Sequence, residues 1–146
     1  MVLATYAIPL ITLKVVVVDT ETTGLDARKA RVIQIGAVQV REGRIMAPPE
    51  LDVFVNPGVP IPPATTSVHG INDADVAGAP GFAGVAEALE AFVDTAVLVG
   101  HTITYDLDVL KREYSLAGRK WPGWRALADI PQVALGRFEA TPSVGR

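Results

Sequence analysis

The spacing of apolar residues along the chain switches between strand and helix periods in a readable order. Val15 to Val18 form an unbroken β-branched run, the pattern of a strand covered on both faces. Arg31 to Val40 (RVIQIGAVQV) alternates more visibly between apolar and polar positions. Glu42-Gly43 supplies a turn, and Leu51 to Val55 return as a third strand, making an antiparallel meander. Ala47 to Glu50 (APPE) mark an edge or an interruption ahead of that strand, because proline cannot donate to a ladder. Asn56 to Asp73 carry four prolines and two glycines and read as one long ordered loop, a feature that is usually functional. Helical spacing takes over at Phe82 to Val93, with apolar residues at 82, 85, 86, 89, 92 and 93. Ala96 to Gly100 is a short buried strand, and a second helix fits Thr104 to Leu116. Trp121 to Trp124 (WPGW) break it, with a last helical piece expected from about Arg125. The order predicts an α/β fold: a mixed sheet with helices on its faces.

The bulk numbers narrow the function classes. A chain of 146 residues is one domain's worth, and 49% apolar with 20% charged residues is a globular composition. Aromatic residues make up only 6%, so Val, Ala, Leu and Ile must build the core. A net charge of −3 argues against a broad basic face for duplex DNA. It leaves room for a small site that grips one strand end with metal ions supplying the positive charge. The absence of cysteine removes disulfides, thiolate catalysis and zinc–thiolate sites, and fits a cytoplasmic protein. Residues 1–13 are apolar but lack a basic start, contain Pro9 and are too short to span a bilayer. They read as a leader or edge segment ahead of a domain from Lys14 onward, in preference to a signal peptide, and no membrane role is expected.

Two clusters carry candidate chemistry. Asp19 and Glu21 end the valine strand and, two residues apart, face the same side, with Thr20 on the other. Two like charges so placed need a cation between them, or one must hold a proton. Paired acids at a strand end suit a hard, oxygen-preferring ion, although two solvated acids in a turn would look the same in sequence. Thr22, Thr23 and Gly24 follow with hydroxyls, amides and a flexible residue. In the second cluster, Val99 to Tyr114, a helix places Ile103, Leu107, Leu110 and Tyr114 on one stripe. Asp106 sits at the edge of that stripe, while Asp108 is turned by roughly 200° and looks outward. An inward carboxylate is costly unless paired or metal-bound, so Asp106 is the candidate ligand.

Asp19-Thr20-Glu21-Thr22-Thr23-Gly24, then Val68-His69-Gly70-Ile71, then Gly100 to Leu110 (GHTITYDLDVL) together resemble the DEDD (DnaQ-like) 3′–5′ exonucleases. That family includes the proofreading epsilon subunit of bacterial DNA polymerase III. The resemblance runs from about Lys14 to Asp129 with the motifs in order. It implies a ribonuclease H-like fold and Asp19, Glu21 and Asp106 as catalytic metal ligands. Two Mg²⁺ ions are implied, with Mn²⁺ as a substitute, and the acids are expected to lie within about 7 Å of one another. Thr20, Thr22, Thr23, Gly24, His69 and His101 are the substrate-side candidates. For His69 the bland alternative is a loop histidine capping backbone groups, and for His101 an imidazole that ties a turn. The family's second motif commonly has Asn and Phe where Thr102 and Tyr105 stand. Tyr105 and both tryptophans are assigned to packing.

The family's third motif, a further Asp with a His or Tyr, has no counterpart after Asp129, where neither Asp nor His recurs. Asp129 resembles a linker acid and is not assigned to the site. The C-terminal part of the domain is therefore expected to be missing or truncated, leaving a sheet surface open or covered by a neighbouring chain, as in a homodimer. The implied partners are the 3′ end of single-stranded DNA or RNA, and a polymerase or a further downstream domain. The alternative is an exonuclease-like module that binds without cutting. An actin-like kinase phosphate loop needs glycine where Glu21 stands, and an aspartyl phosphatase needs a second Asp there. Both are set aside.

Overall fold

The computed structural model describes residues 13–127. Most of the leader, Asp129 and the remainder of the expected last helical piece lie outside these residues. Four strands form one sheet in the order β3-β2-β1-β4: β1 is Val15–Thr22, β2 Val32–Arg41, β3 Arg44–Phe54 and β4 Val97–Val99. β1 pairs antiparallel with β2, which pairs antiparallel with β3, while β4 runs parallel to β1. The expected mixed sheet is present.

Local chemistry explains each departure from the expected elements. β3 begins seven residues early and runs through Pro48 and Pro49, which an edge strand tolerates because its outer amides have no ladder to serve. Its register with β2 shifts between Val38 and Gln39, which absorbs the irregularity. The long loop after Asn56 holds two short helices, α1 (Pro63–His69) and α2 (Asp73–Val76). Pro63 opens α1 in the first turn, where its missing N–H costs nothing, and Gly70 closes it at φ 80°. α2 is started by a capping box between Asn72 and Asp75. α1 buries no residue, so it has no apolar stripe for periodicity to detect. The chain at Arg125–Ala126 is extended rather than helical, and Ala126 pairs in parallel with Leu98.

The core lies on one side of the sheet. Val16, Val18, Ile35 and Ala37 meet Phe82, Val85, Ala86, Leu89 and Val93 of α3 (Phe82–Val93). The stripe of α4 (Ile103–Leu116), namely Ile103, Leu107, Leu110 and Tyr114, is buried in the same core as its phase predicts. Tyr114 sits edge-on to Phe82, Trp121 and Trp124, so the two tryptophans are packing residues. The expectation that the valine run is covered on both faces does not hold among the described residues. Burial alternates along β1, and Val17 is 37% exposed, because α3 and α4 occupy only the other face.

α4 is fixed to β2 by a buried ion pair. Glu113, 1% exposed, accepts from Arg31 Nε at 2.8 Å, from Arg31 Nη2 at 3.1 Å and from the Val32 amide at 2.9 Å. Such bidentate geometry offsets the desolvation of the carboxylate. Glu113→Ala would leave Arg31 and the Val32 amide unpaired, and should cost about 3 kcal/mol or more in urea unfolding. Arg119→Ala breaks a pair with Glu90 whose side chains are 37% and 34% exposed, and should cost under about 1 kcal/mol. Equal losses would contradict the assigned role of Glu113.

Candidate active site

β4 stops at Val99, so among the described residues the β1 edge beyond Val17 has no strand partner on that side. Gly100 turns the chain there: a Cβ at this position would stand 2.6 Å from the Val18 carbonyl oxygen, too close for any other residue. Thr102 follows in the left-handed region at φ 54° and starts α4. Asp106 then reaches the free edge in the first turn of the helix, where a negative charge is favoured. Its Oδ1 accepts from the Thr20 amide at 3.0 Å and from the Thr20 hydroxyl at 2.6 Å. Burial holds the Asp106 carboxyl above the usual carboxylate range; the Thr20 bonds oppose that shift, and the negative charge of Asp19 adds to it.

Asp19 and Glu21 project from the opposite, open face of β1, as strand parity requires. Neither makes a hydrogen bond or ion pair to another described residue. They border an open basin of about 480 Å³ that Val17, Gln34, Gly36 and Asp52 also line. Gly36 lies directly across from Asp19, and its missing side chain leaves the acid uncovered. Asp52 and Gln34 were not predicted for this face. They are joined by a 2.8 Å hydrogen bond, and only the strand register, which the sequence does not print, brings them beside the acids.

The threonines are committed to the protein. Thr20 gives its hydroxyl to Asp106, so its side chain orients the acid from the buried side rather than facing a ligand. Thr22 Oγ1 lies 2.8 Å from the Gly24 carbonyl oxygen and 2.7 Å from the Tyr105 hydroxyl, which also donates to Gly24. Burial raises the Tyr105 phenol above its ordinary value, so it keeps its proton at neutral pH. Thr23 exchanges bonds with Arg31: its amide donates to the Arg31 carbonyl at 2.9 Å, and its Oγ1 accepts from the Arg31 amide at 3.0 Å. Gly24 has open space on its Cβ side. His69 ends α1, and its Nδ1 accepts from the Ile71 amide at 3.1 Å, the capping role allowed for it. Its Nε2 is buried without a hydrogen-bond partner. His101 is exposed in the turn after β4.

Among the described residues, no three His, Asp or Glu side chains are gathered closely enough to hold one ion. The tight trio expected from the motifs is not formed; Asp106 is engaged by Thr20 instead. In kind, however, the donors suit a hard cation. Two unpartnered carboxylates face one basin, and a third carboxylate feels the charge of Asp19.

The exonuclease family of the RNase T type matches residues 16–137. The chain belongs to that family. It is 46% identical over 114 residues to a DNA polymerase III subunit epsilon-like protein of Rhodobacter capsulatus, covering 77% of this chain and 16% of that protein. It is 38% identical over 103 residues to a PolC-type DNA polymerase III of Streptococcus suis, covering 70% of this chain and 7% of that one. The chain thus spans a small part of these relatives. Exonuclease I bound to the inhibitor BCBP superposes with a TM-score of 0.69 at 16% identity, covering 81% of this chain and 27% of that one. Escherichia coli exonuclease I bound to a dT13 oligonucleotide gives 0.67 at 15% identity, covering 78% and 27%. These likenesses establish the fold, which is ribonuclease H-like.

Asp106 is 3% exposed and Asp108 is on the surface. In the exonuclease reading proposed below, Asp106→Ala should lower the initial rate of nucleotide release by on the order of 10²-fold or more, while Asp108→Ala stays within about twofold. Comparable losses would mean that the helix phase does not select the functional acid.

Proposed function

We propose that this domain is a 3′–5′ exonuclease that removes nucleoside monophosphates from the 3′ end of a single strand. The observation that carries the reading is the pair Asp19 and Glu21, unpartnered on one face of β1 within a chain of the exonuclease family. Asp19, Glu21 and Asp106 would hold the divalent ions, Mg²⁺ or Mn²⁺, as their all-oxygen donors favour. When bound, such ions supply a nucleophilic water and neutralise charge on the leaving oxygen.

The chain's own residues do the rest. Thr20 fixes one oxygen of Asp106, leaving the other for the site. The basin beside Asp19 carries acids and no described cation, so a phosphate chain approaches only with counter-charge present. The Thr22–Gly24 loop stands at the end of the acidic strand, where a terminal nucleotide would lie. His69 enters this reading as the substrate-side imidazole through the motif resemblance alone, since its Nδ1 caps the Ile71 amide and its Nε2 is buried. The likeness to polymerase III proteins supports a polymerase as the source of the strand end.

A second reading, a module that binds strand ends without cutting, is favoured by the lack of a closed three-acid group among the described residues. One assay separates the two. A 5′-labelled single strand incubated with Mg²⁺ should shorten stepwise from its 3′ end, and EDTA should stop it. Asp19→Ala and Glu21→Ala should each lower the rate by on the order of 10²–10³-fold. Binding without shortening supports the non-cutting module.

A further inference from the structure

Tyr105 stands in the first turn of α4, its ring packed against the edge of the main core. Its hydroxyl leaves that core to meet one oxygen at the end of β1 and one in the loop after it: it lies 2.7 Å from Thr22 Oγ1 and donates to the Gly24 carbonyl. Thr22 Oγ1 is itself 2.8 Å from the same carbonyl. The triangle holds three oxygens and only two hydroxyl protons. Gly24 contributes an acceptor alone, so both protons are spent inside the triangle. Neither hydroxyl is left to donate to a ligand.

What the triangle does fix is position. A register irregularity lies between Glu21 and Thr22; pairing resumes with Thr22 opposite Val32 and the Thr23 amide donating to the Arg31 carbonyl, after which the chain leaves the sheet towards Gly24. On one side of this segment Thr23 is held by Arg31, which Glu113 grips in turn. On the other side, Tyr105 is the group from α4 that reaches Thr22 and Gly24. A phenylalanine, the residue more common here in the family that the sequence resembles, has no atom for this contact.

We propose that the Tyr105 hydroxyl is a positioning group for strand-end binding: it holds Thr22 to Gly24 against the first turn of α4, so the terminal nucleotide of a single strand meets a loop already ordered. The proposal rests on the exonuclease reading. It goes beyond it by giving the affinity for the strand to a contact that touches neither metal nor phosphate. Ordering the loop before binding removes an entropic cost from the complex, so the effect belongs in affinity and KM rather than in kcat.

The test uses the full chain with Tyr105→Phe, which keeps the ring, and Thr22→Val, which keeps the shape. The dissociation constant of a fluorescent single-stranded oligonucleotide is measured with Ca²⁺ in place of Mg²⁺, and kcat and KM are then measured with Mg²⁺. Each variant should weaken binding and raise KM by about three- to tenfold, with kcat within about twofold. The double variant should be no weaker than either single one, because both remove the same triangle. Wild-type affinity and KM in Tyr105→Phe, or a change confined to kcat, would overturn the proposal. A wild-type chain that binds but does not cut refutes the exonuclease reading alone, since the affinity shift still decides the clamp. A wild-type chain that does not bind the strand overturns both.

Discussion

The polar seam between α4 and the end of β1 is the constraint on which the rest of the site depends. Four residues of one helix reach the segment from Thr20 to Val32. Asp106 takes the Thr20 amide and hydroxyl, Tyr105 takes Gly24 and Thr22, Arg112 takes the Arg28 carbonyl at 2.7 Å, and Glu113 takes Arg31 and Val32. Apolar burial of Ile103, Leu107, Leu110 and Tyr114 holds the helix on the sheet but tolerates small slides. The directional bonds do not. They set the helix in one register against the strand that carries Asp19 and Glu21, and so decide where Asp106 stands.

That arrangement divides the acids between two environments. Asp19 and Glu21 lie on an open face with Gly36 and Asp52, and no described cation balances them. Asp106 is held on the buried side by donors from Thr20, while burial and the charge of Asp19 push its proton affinity up. A divalent ion near Asp19 would relieve that shift, because an added positive charge favours the ionised form. Were a metal bound as proposed, its affinity and the ionisation of Asp106 would be linked, and the Thr20 bonds to Oδ1 would limit how far the carboxylate could travel to meet the ion.

Much of this was legible in the chain. Apolar spacing yields the alternating strands β1 and β2 and the helices α3 and α4, because those elements bury one face and so carry their phase in the sequence. The stripe of α4 separated Asp106 from Asp108 correctly. What escaped was whatever has no period. α1 buries nothing and is specified by Pro63 and Gly70 at its ends. The open face of β1 cannot be told from a run of valines, since a β-branched run serves a covered or an uncovered strand. Asp52 and Gln34 join the basin through register, and the threonine hydroxyls, which read as ligand contacts, are taken by partners about eighty positions away for Thr20 and Thr22. Arg31 and Glu113 gave no local sign of their pairing.

The central proposal is that a cation binds at the end of β1, with the unpartnered Asp19 and Glu21 as its donors and Asp106 held beside it by Thr20. Anomalous diffraction from a crystal soaked in Mn²⁺ tests it most directly. The account predicts a manganese peak within coordination distance of the Asp19 and Glu21 carboxylates, lost in Asp19→Asn. A fully soaked crystal with no peak there, or with manganese bound only at acids away from β1, would contradict it.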